Sequence, residues 1–125
     1  MNTRAMLTAV AAGRLVIGAA LVAKPQSQVG TGWVGAEEAG RPVTTLLFRS
    51  VGARDMALGL GTLVAQRSGS PLKPWLLGAT LADVVDLAAT FTAGNAVPKS
   101  GKAVIALFAG GAIVQQLAIA RTVEA

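Results

Sequence analysis

The stretch from Phe48 to Gly61 reads FRSVGARDMALGLG and places two arginines and one aspartate inside a long apolar run. That run, from about residue 43 to residue 65, is long enough to cross a bilayer as a helix. A charged side chain at the centre of a bilayer costs about 2.5–3.5 kcal/mol on insertion scales. Because crossing a membrane requires no such charge, Arg49, Arg54 and Asp55 indicate a role beyond membrane anchoring.

The composition of the whole chain is that of a membrane protein. Of its 125 residues, 53% are hydrophobic and only 14% are charged, and the mean hydropathy is +0.59. A soluble domain usually carries about 25% charged residues, so a soluble helical bundle is the weaker alternative. The apolar residues come in blocks of roughly twenty, which matches the thickness of a bilayer. We therefore predict one all-α integral membrane domain over residues 1–125.

Prolines and glycines divide the chain into four apolar segments. The predicted transmembrane helices lie near residues 5–23, 43–65, 74–92 and 103–120, and they form an antiparallel four-helix bundle. Pro42 and Pro74 stand where the second and third helices begin, a position that tolerates the missing N–H of proline. The longest connection, from Lys24 to Arg41, is rich in glycine and predicts no regular element. Within it, Trp33 is expected at head-group level.

The loop charges bear on the orientation of the chain in a cell membrane, either inner or plasma. Four spans place both termini on one side, and the basic residues divide equally between the two sides. The positive-inside rule therefore gives a tie, and the short basic turn after the second helix favours termini on the cytoplasmic side. A cleaved signal peptide is another interpretation of the first segment, but Arg14 interrupts an apolar core that should carry no charge.

Charged residues at membrane depth are the candidate site of this protein. Uncompensated, six of them would cost on the order of 15–20 kcal/mol. Equal numbers of each sign at similar depths predict that they pair in the bundle interior. The six candidate binding residues are Arg14, Arg49, Arg54, Asp55, Asp83 and Asp86. Two neighbouring amides, Gln115 and Gln116, are secondary candidates as hydrogen-bond partners between helices.

Helix depth also predicts which charges meet. Arg14 and Asp83 both fall at the midplane and are expected to contact each other. Arg49 and Asp86 are displaced towards the same side, since neighbouring helices run in opposite directions, and they are expected to form a second pair. Asp55 lies on a glycine-containing helix face and is free to bridge to either arginine. Arg54 points away from that face and is expected to meet a cavity, a partner or a ligand.

One short motif gives the chain a family resemblance. The second helix contains Gly52-Ala53-Arg54-Asp55 followed by Gly59, and the third contains Asp83. This arrangement resembles a family of small bacterial and fungal four-helix membrane proteins of unknown function, which carry G-x-R-D-x-x-x-G in the second helix. Arg14 and Pro25 match the early arginine and the proline that ends the first helix in that family. The resemblance implies the fold and brings no activity.

Three classes of function stay open. The first is a module that binds or passes a proton, an ion or a small polar ligand, and the second is a structural or accessory subunit of a membrane complex. The third, an acid–base enzyme acting on a lipid-like substrate, is the weakest, because the chain lacks His, Cys and Tyr. The same composition predicts no metal and no cofactor. The expected partners are the lipid bilayer and either a second copy or another membrane protein, but no nucleic acid.

Overall fold

The computed structural model describes residues 2–123. Within that range the chain forms helices and turns and contains no strand. All four predicted helices are present, and each begins one to four residues earlier than predicted. The six α-helices are α1 (Thr3–Ala23), α2 (Gln28–Val34), α3 (Ala36–Ala39), α4 (Pro42–Ser68), α5 (Lys73–Thr92) and α6 (Lys99–Ala120), and a 3₁₀ turn covers Gly94–Ala96.

The helix ends follow from local sequence. The side chain of Asn2 accepts a hydrogen bond from the backbone N–H of Ala5 at 2.8 Å and so caps α1. Pro42 is the first residue of α4, as predicted. At the other end of α4, Gly69 adopts the left-handed conformation with φ +71°, which glycine reaches without steric cost.

The connection between α1 and α4 corrects one prediction, because it contains the two short helices α2 and α3. One of its glycines, Gly30, is required by a close approach of the backbone. A Cβ at Gly30 would collide with the carbonyl oxygen of Pro25, and a Cβ at Gly101 of α6 would collide with that of Trp33. Trp33 stacks on Phe48 with ring centroids 5.6 Å apart. Its depth in a membrane stays a prediction.

Helices α1 and α4 pack along a seam of small residues. A Cβ at Gly52 would lie 2.5 Å from the carbonyl oxygen of Gly18, and a Cβ at Gly59 would lie 2.6 Å from that of Ala11. Because residue numbers rise along α1 as they fall along α4, the two helices are antiparallel. Such close backbone approach is typical of helix pairs that use small residues.

Two apolar clusters fill the ends of the protein interior. We name them after their residues in α1. The Leu7 cluster consists of the buried side chains Leu7, Leu76, Ile119 and Ala120. The Leu21 cluster consists of Leu21, Ala39 and Phe48. Arg14 lies midway between Leu7 and Leu21 along α1, so the candidate site is enclosed between apolar layers.

The distribution of polar side chains is the reverse of that in a soluble protein. Buried positions include Asp55, Asp83 and Gln116, whereas large apolar residues such as Val16 and Leu107 are exposed on the outer surface. Three helices, α1, α5 and α6, are long and apolar enough to cross a membrane. α4 is also long enough, but every membrane-length stretch of it holds at least three charged residues. The structure is thus consistent with a membrane protein.

Candidate functional site

A network of charged and amide side chains joins the helices at mid-height. We call it the charge network, and it consists of Arg14 from α1, Arg54 and Asp55 from α4, Asp83 and Asp86 from α5, and Gln116 from α6. The buried face of α4 carries Gly52, Asp55 and Gly59, as the sequence predicts. The charge network connects the α1–α4 pair to the α5–α6 pair through side chains.

Arg14 is the centre of the charge network. Its Nη1 donates to Asp55 Oδ1 at 3.1 Å, and its Nη2 donates to Asp83 Oδ2. Nη2 also donates to Gln116 Oε1 at 3.1 Å. Only 8% of the Arg14 side chain is exposed, so its charge depends on these partners rather than on solvent. The predicted contact between Arg14 and Asp83 is confirmed.

Gln116 is the amide that belongs to the charge network. Its Nε2 donates to Asp83 Oδ2 at 2.9 Å while its Oε1 accepts from Arg14, so the amide bridges both members of an ion pair. The side chain is buried, with 2% relative exposure. Gln115 is exposed and lines a shallow surface groove beside Met6 and Val10. Of the two candidate glutamines, the structure therefore brings only Gln116 to the site.

Arg54 forms the second half of the charge network and corrects two predictions. Its Nη1 and Nη2 donate to Asp86 Oδ1 and Oδ2 at 3.0 and 2.6 Å. Its Nε and Nη2 also reach Asp55 Oδ1 at 3.3 and 3.1 Å. The long side chain therefore folds back towards the face from which its Cα points away. Asp55 was predicted to bridge to Arg14 or Arg49; it contacts Arg14 and Arg54, because Arg54 takes the place predicted for Arg49.

Arg49 lies outside the charge network. Its Nε donates to the carbonyl oxygen of Val22 at 3.3 Å, and the side chain is exposed. Val22 belongs to the last turn of α1, whose carbonyls have no partner within the helix. Arg49 finds an acceptor there, while both oxygens of Asp86 are taken by Arg54. Helix depth gives the height of each residue and takes no account of the free carbonyl groups at the end of α1.

The charge network is not electrically balanced. It holds two arginines, Arg14 and Arg54, and three aspartates, because Arg49 is absent from it. Arginine stays protonated in proteins. With every carboxyl ionised, the charge network therefore carries one negative charge in excess. The prediction that equal numbers of positive and negative charges pair in the bundle interior was wrong, because Arg49 lies outside the charge network.

Two carboxylate oxygens of the charge network have no donor. All hydrogen bonds to Asp55 use its Oδ1, and all those to Asp83 use its Oδ2. Among residues 2–123, no side chain or backbone group donates to Asp55 Oδ2 or Asp83 Oδ1. Asp86, by contrast, uses both of its oxygens in the fork with Arg54. A proton on Asp55 Oδ2 or Asp83 Oδ1 would therefore break no hydrogen bond.

Exposure differs across the charge network. The side chains of Arg14, Asp55 and Asp83 are all close to one-tenth exposed, whereas 32% of the Arg54 side chain is exposed. Arg54 therefore forms the accessible end, since its partner Asp86 is only 13% exposed, and Arg14 and Asp83 form the enclosed end. In the described range, no group of three or more His, Cys, Asp or Glu side chains is arranged to hold a metal ion.

Comparison with known proteins adds no relative to these observations. No family model matches the chain, and neither the curated proteins nor the solved structures contain a match. The geometry of the charge network is therefore the basis for its proposed function.

Proposed function

We propose that the chain is an integral membrane protein that crosses an inner or plasma membrane four times as an antiparallel four-helix bundle. α4 supplies the fourth span, because it packs against α1 and places the side chains of Arg54 and Asp55 in the charge network. Its outward surface carries large apolar residues suited to lipid, namely Val43, Leu46, Leu47, Leu60 and Val64. The resemblance to small four-helix membrane proteins is part of the same proposal.

Both termini are expected on one side of the membrane. Leu7 and Ile119 lie near opposite ends of the chain and share the Leu7 cluster, which supports an even number of spans. Fusing a reporter that is active in only one compartment to each terminus should give the same signal from both. We expect the termini on the cytoplasmic side, because the turn between α4 and α5 is short and basic. Opposite signals would mean that α4 does not cross.

We propose that the charge network takes up one proton, or one monovalent cation in its place. The single observation that carries this proposal is the excess of one aspartate over arginine. An uncompensated charge at membrane depth costs about 2.5–3.5 kcal/mol, so uptake of one positive charge is favourable. Asp55 Oδ2 and Asp83 Oδ1 supply the free lone pairs, and the partly exposed Arg54–Asp86 end supplies the route. The function is the reversible binding, or the passage, of that ion.

Infrared difference spectroscopy of the purified protein tests the uptake directly. Between alkaline and acidic buffer, the wild type should gain the band of one buried protonated carboxyl group. Asp55→Asn and Asp83→Asn should each lose it, because either change leaves two arginines and two carboxylates. In Asp83→Asn, the amide oxygen can still accept from Arg14 and Gln116. Glu37→Gln, which alters an exposed acid beside Arg41, should retain the band.

The same spectra separate a proton from a metal cation. If Na⁺ or K⁺ fills the site, the carboxyl band should shrink as the salt concentration rises at constant pH. Proteoliposomes with an enclosed pH indicator then show whether the bound ion passes through the membrane. A wild-type protein without the band, and without any salt dependence, would refute ion uptake.

A structural or accessory subunit is the second candidate function. It is favoured by the hydrogen bonds of the charge network, which connect all four long helices and fix their relative heights. In that case one carboxyl group of the charge network would stay protonated at every pH. The carboxyl band would then be present at every pH, and proteoliposomes would show no flux. The acid–base enzyme has no comparable observation in its favour.

A further inference from the structure

A basic surface cavity lies where α1 ends, away from the charge network. Its volume is about 370 Å³, and it opens to the outside. Two cations, two hydroxyl groups and one amide line it. The lining residues are Lys24, Pro25, Gln26, Ser27, Thr45 and Arg49. No acidic residue is among them, so this cavity presents hydrogen-bond donors and positive charge to whatever enters.

Arg49 is oriented for recognition rather than for pairing. Its Nε is held by the carbonyl oxygen of Val22, which fixes the plane of the guanidinium group. In residues 2–123, neither of its terminal nitrogens donates to another protein group. A planar guanidinium with free terminal nitrogens matches the paired oxygens of a phosphate. Thr45 lies one turn earlier on the same face of α4 and borders the same cavity.

Ser27 provides an independent sign of a missing partner. Its Oγ is enclosed by the protein and has no hydrogen-bond partner among the described residues. Ser27 lines the same cavity as Lys24 and Arg49. A buried hydroxyl without a partner is unfavourable, so an acceptor bound in this cavity would relieve that cost.

The acids of the neighbouring connection do not neutralise this cavity. Glu37 and Glu38 both pair with Arg41, at 3.6 and 3.0 Å. Glu38 also accepts a hydrogen bond from Thr44 at 2.8 Å. Among the described residues, no salt bridge joins Lys24 or Arg49 to a carboxylate.

We propose that this cavity binds a phosphate group through Lys24, Arg49 and the hydroxyl of Ser27. The phosphate belongs either to a phospholipid head group or to free phosphate. The lipid source rests on the proposed membrane placement, in which the end of α1 and the start of α4 lie at head-group level. Anionic lipid and basic residues attract each other at that level.

Calorimetric titration of the full chain in a neutral detergent tests the proposal with three probes: inorganic phosphate, a short-chain phosphatidylglycerol, and the matching diacylglycerol without phosphate. The phosphatidylglycerol is expected to bind and the diacylglycerol is not. Equal binding of inorganic phosphate would identify free phosphate as the source. Failure of both phosphate probes to bind would overturn the proposal. None of these results depends on proton uptake.

Variants assign the binding to this cavity. Arg49→Gln should weaken phosphatidylglycerol binding by about fivefold, and the Lys24→Gln, Arg49→Gln double variant by about 25-fold. Arg67→Gln is the matched control, since it removes one exposed arginine from the other end of the same helix. It should bind like the wild type. Equal affinity of Arg49→Gln and Arg67→Gln would overturn the assignment.

Ser27→Ala supplies a test that does not change charge. It should weaken phosphate binding while leaving thermal stability without ligand unchanged or slightly higher, because it removes an unpartnered buried hydroxyl. Arg49→Lys keeps the charge but loses the planar fork, and it should bind between the wild type and Arg49→Gln. A Ser27→Ala protein that binds phosphate as the wild type does would remove Ser27 from the site.

Discussion

Replacing Arg14 with methionine is expected to destabilise the folded protein by about 3–5 kcal/mol, the usual cost of removing one partner from a buried ion pair. The change leaves Asp55 and Asp83 without their shared cation and raises the excess of negative charge in the charge network from one to two. It also removes the donor to Gln116. Chemical unfolding in detergent measures the loss.

A matched control and a rescue make that result specific. Arg67→Met removes an exposed arginine and should change the free energy of unfolding by less than about 0.5 kcal/mol. Adding Asp83→Asn to Arg14→Met should recover part of the loss, because it removes one stranded carboxylate. Arg14→Met and Arg67→Met proteins of equal stability would mean that Arg14 is not the centre of the interior.

Replacing Gly59 with alanine is expected to cost about 1–3 kcal/mol, the typical penalty for overfilling a packed interior. The new methyl group would lie 2.6 Å from the carbonyl oxygen of Ala11 and 3.0 Å from the backbone nitrogen of Leu15. Backbone atoms cannot turn aside as a flexible side chain can, so α1 and α4 must separate. The contact of Arg14 with Asp55 would lengthen as a result.

Gly13→Ala in α1 is the control for Gly59→Ala, with the opposite expected sign. A Cβ at Gly13 meets nothing within 4 Å. Alanine there should stabilise the helix by about 0.5–1 kcal/mol, since glycine loses more backbone freedom on folding. Thermal unfolding of both variants gives the comparison. The seam described here would be wrong if both substitutions shifted the midpoint in the same direction by similar amounts.

Helix depth predicted the contact of Arg14 with Asp83, because it placed both residues at the midplane. Asp55 was expected to bridge to Arg14 or Arg49 but contacts Arg14 and Arg54. Depth failed for Arg54 because it records where a Cα lies and not where a long, flexible side chain ends. The sequence offered both Gln115 and Gln116 as candidates, because helix packing decides which of two adjacent residues faces inward.

Glycines and charges obscured two elements of the fold. The glycines between α1 and α4 predicted an irregular loop, but Gly30 serves a close contact with Pro25, and a single sequence does not separate flexibility from contact. The charges of α4 lower its apparent suitability as a span, although two of them, Arg54 and Asp55, belong to the charge network. The cavity around Arg49 was also missed, because its residues come from two segments that the fold brings together. Thr45, one turn before Arg49, was the available signal.

The spacing of the charge network along the chain has a consequence for biogenesis in the proposed membrane setting. Arg14 leaves the ribosome 41 residues before Asp55, 69 before Asp83 and 102 before Gln116. At about 5–20 residues per second, the arginine waits roughly 2–8 seconds for its first partner. During that time α1 carries an unpaired cation, which costs about 2.5–3.5 kcal/mol at membrane depth. Pairing with Asp55 removes part of this cost, so insertion of α1 together with α4 is favoured over insertion of α1 alone.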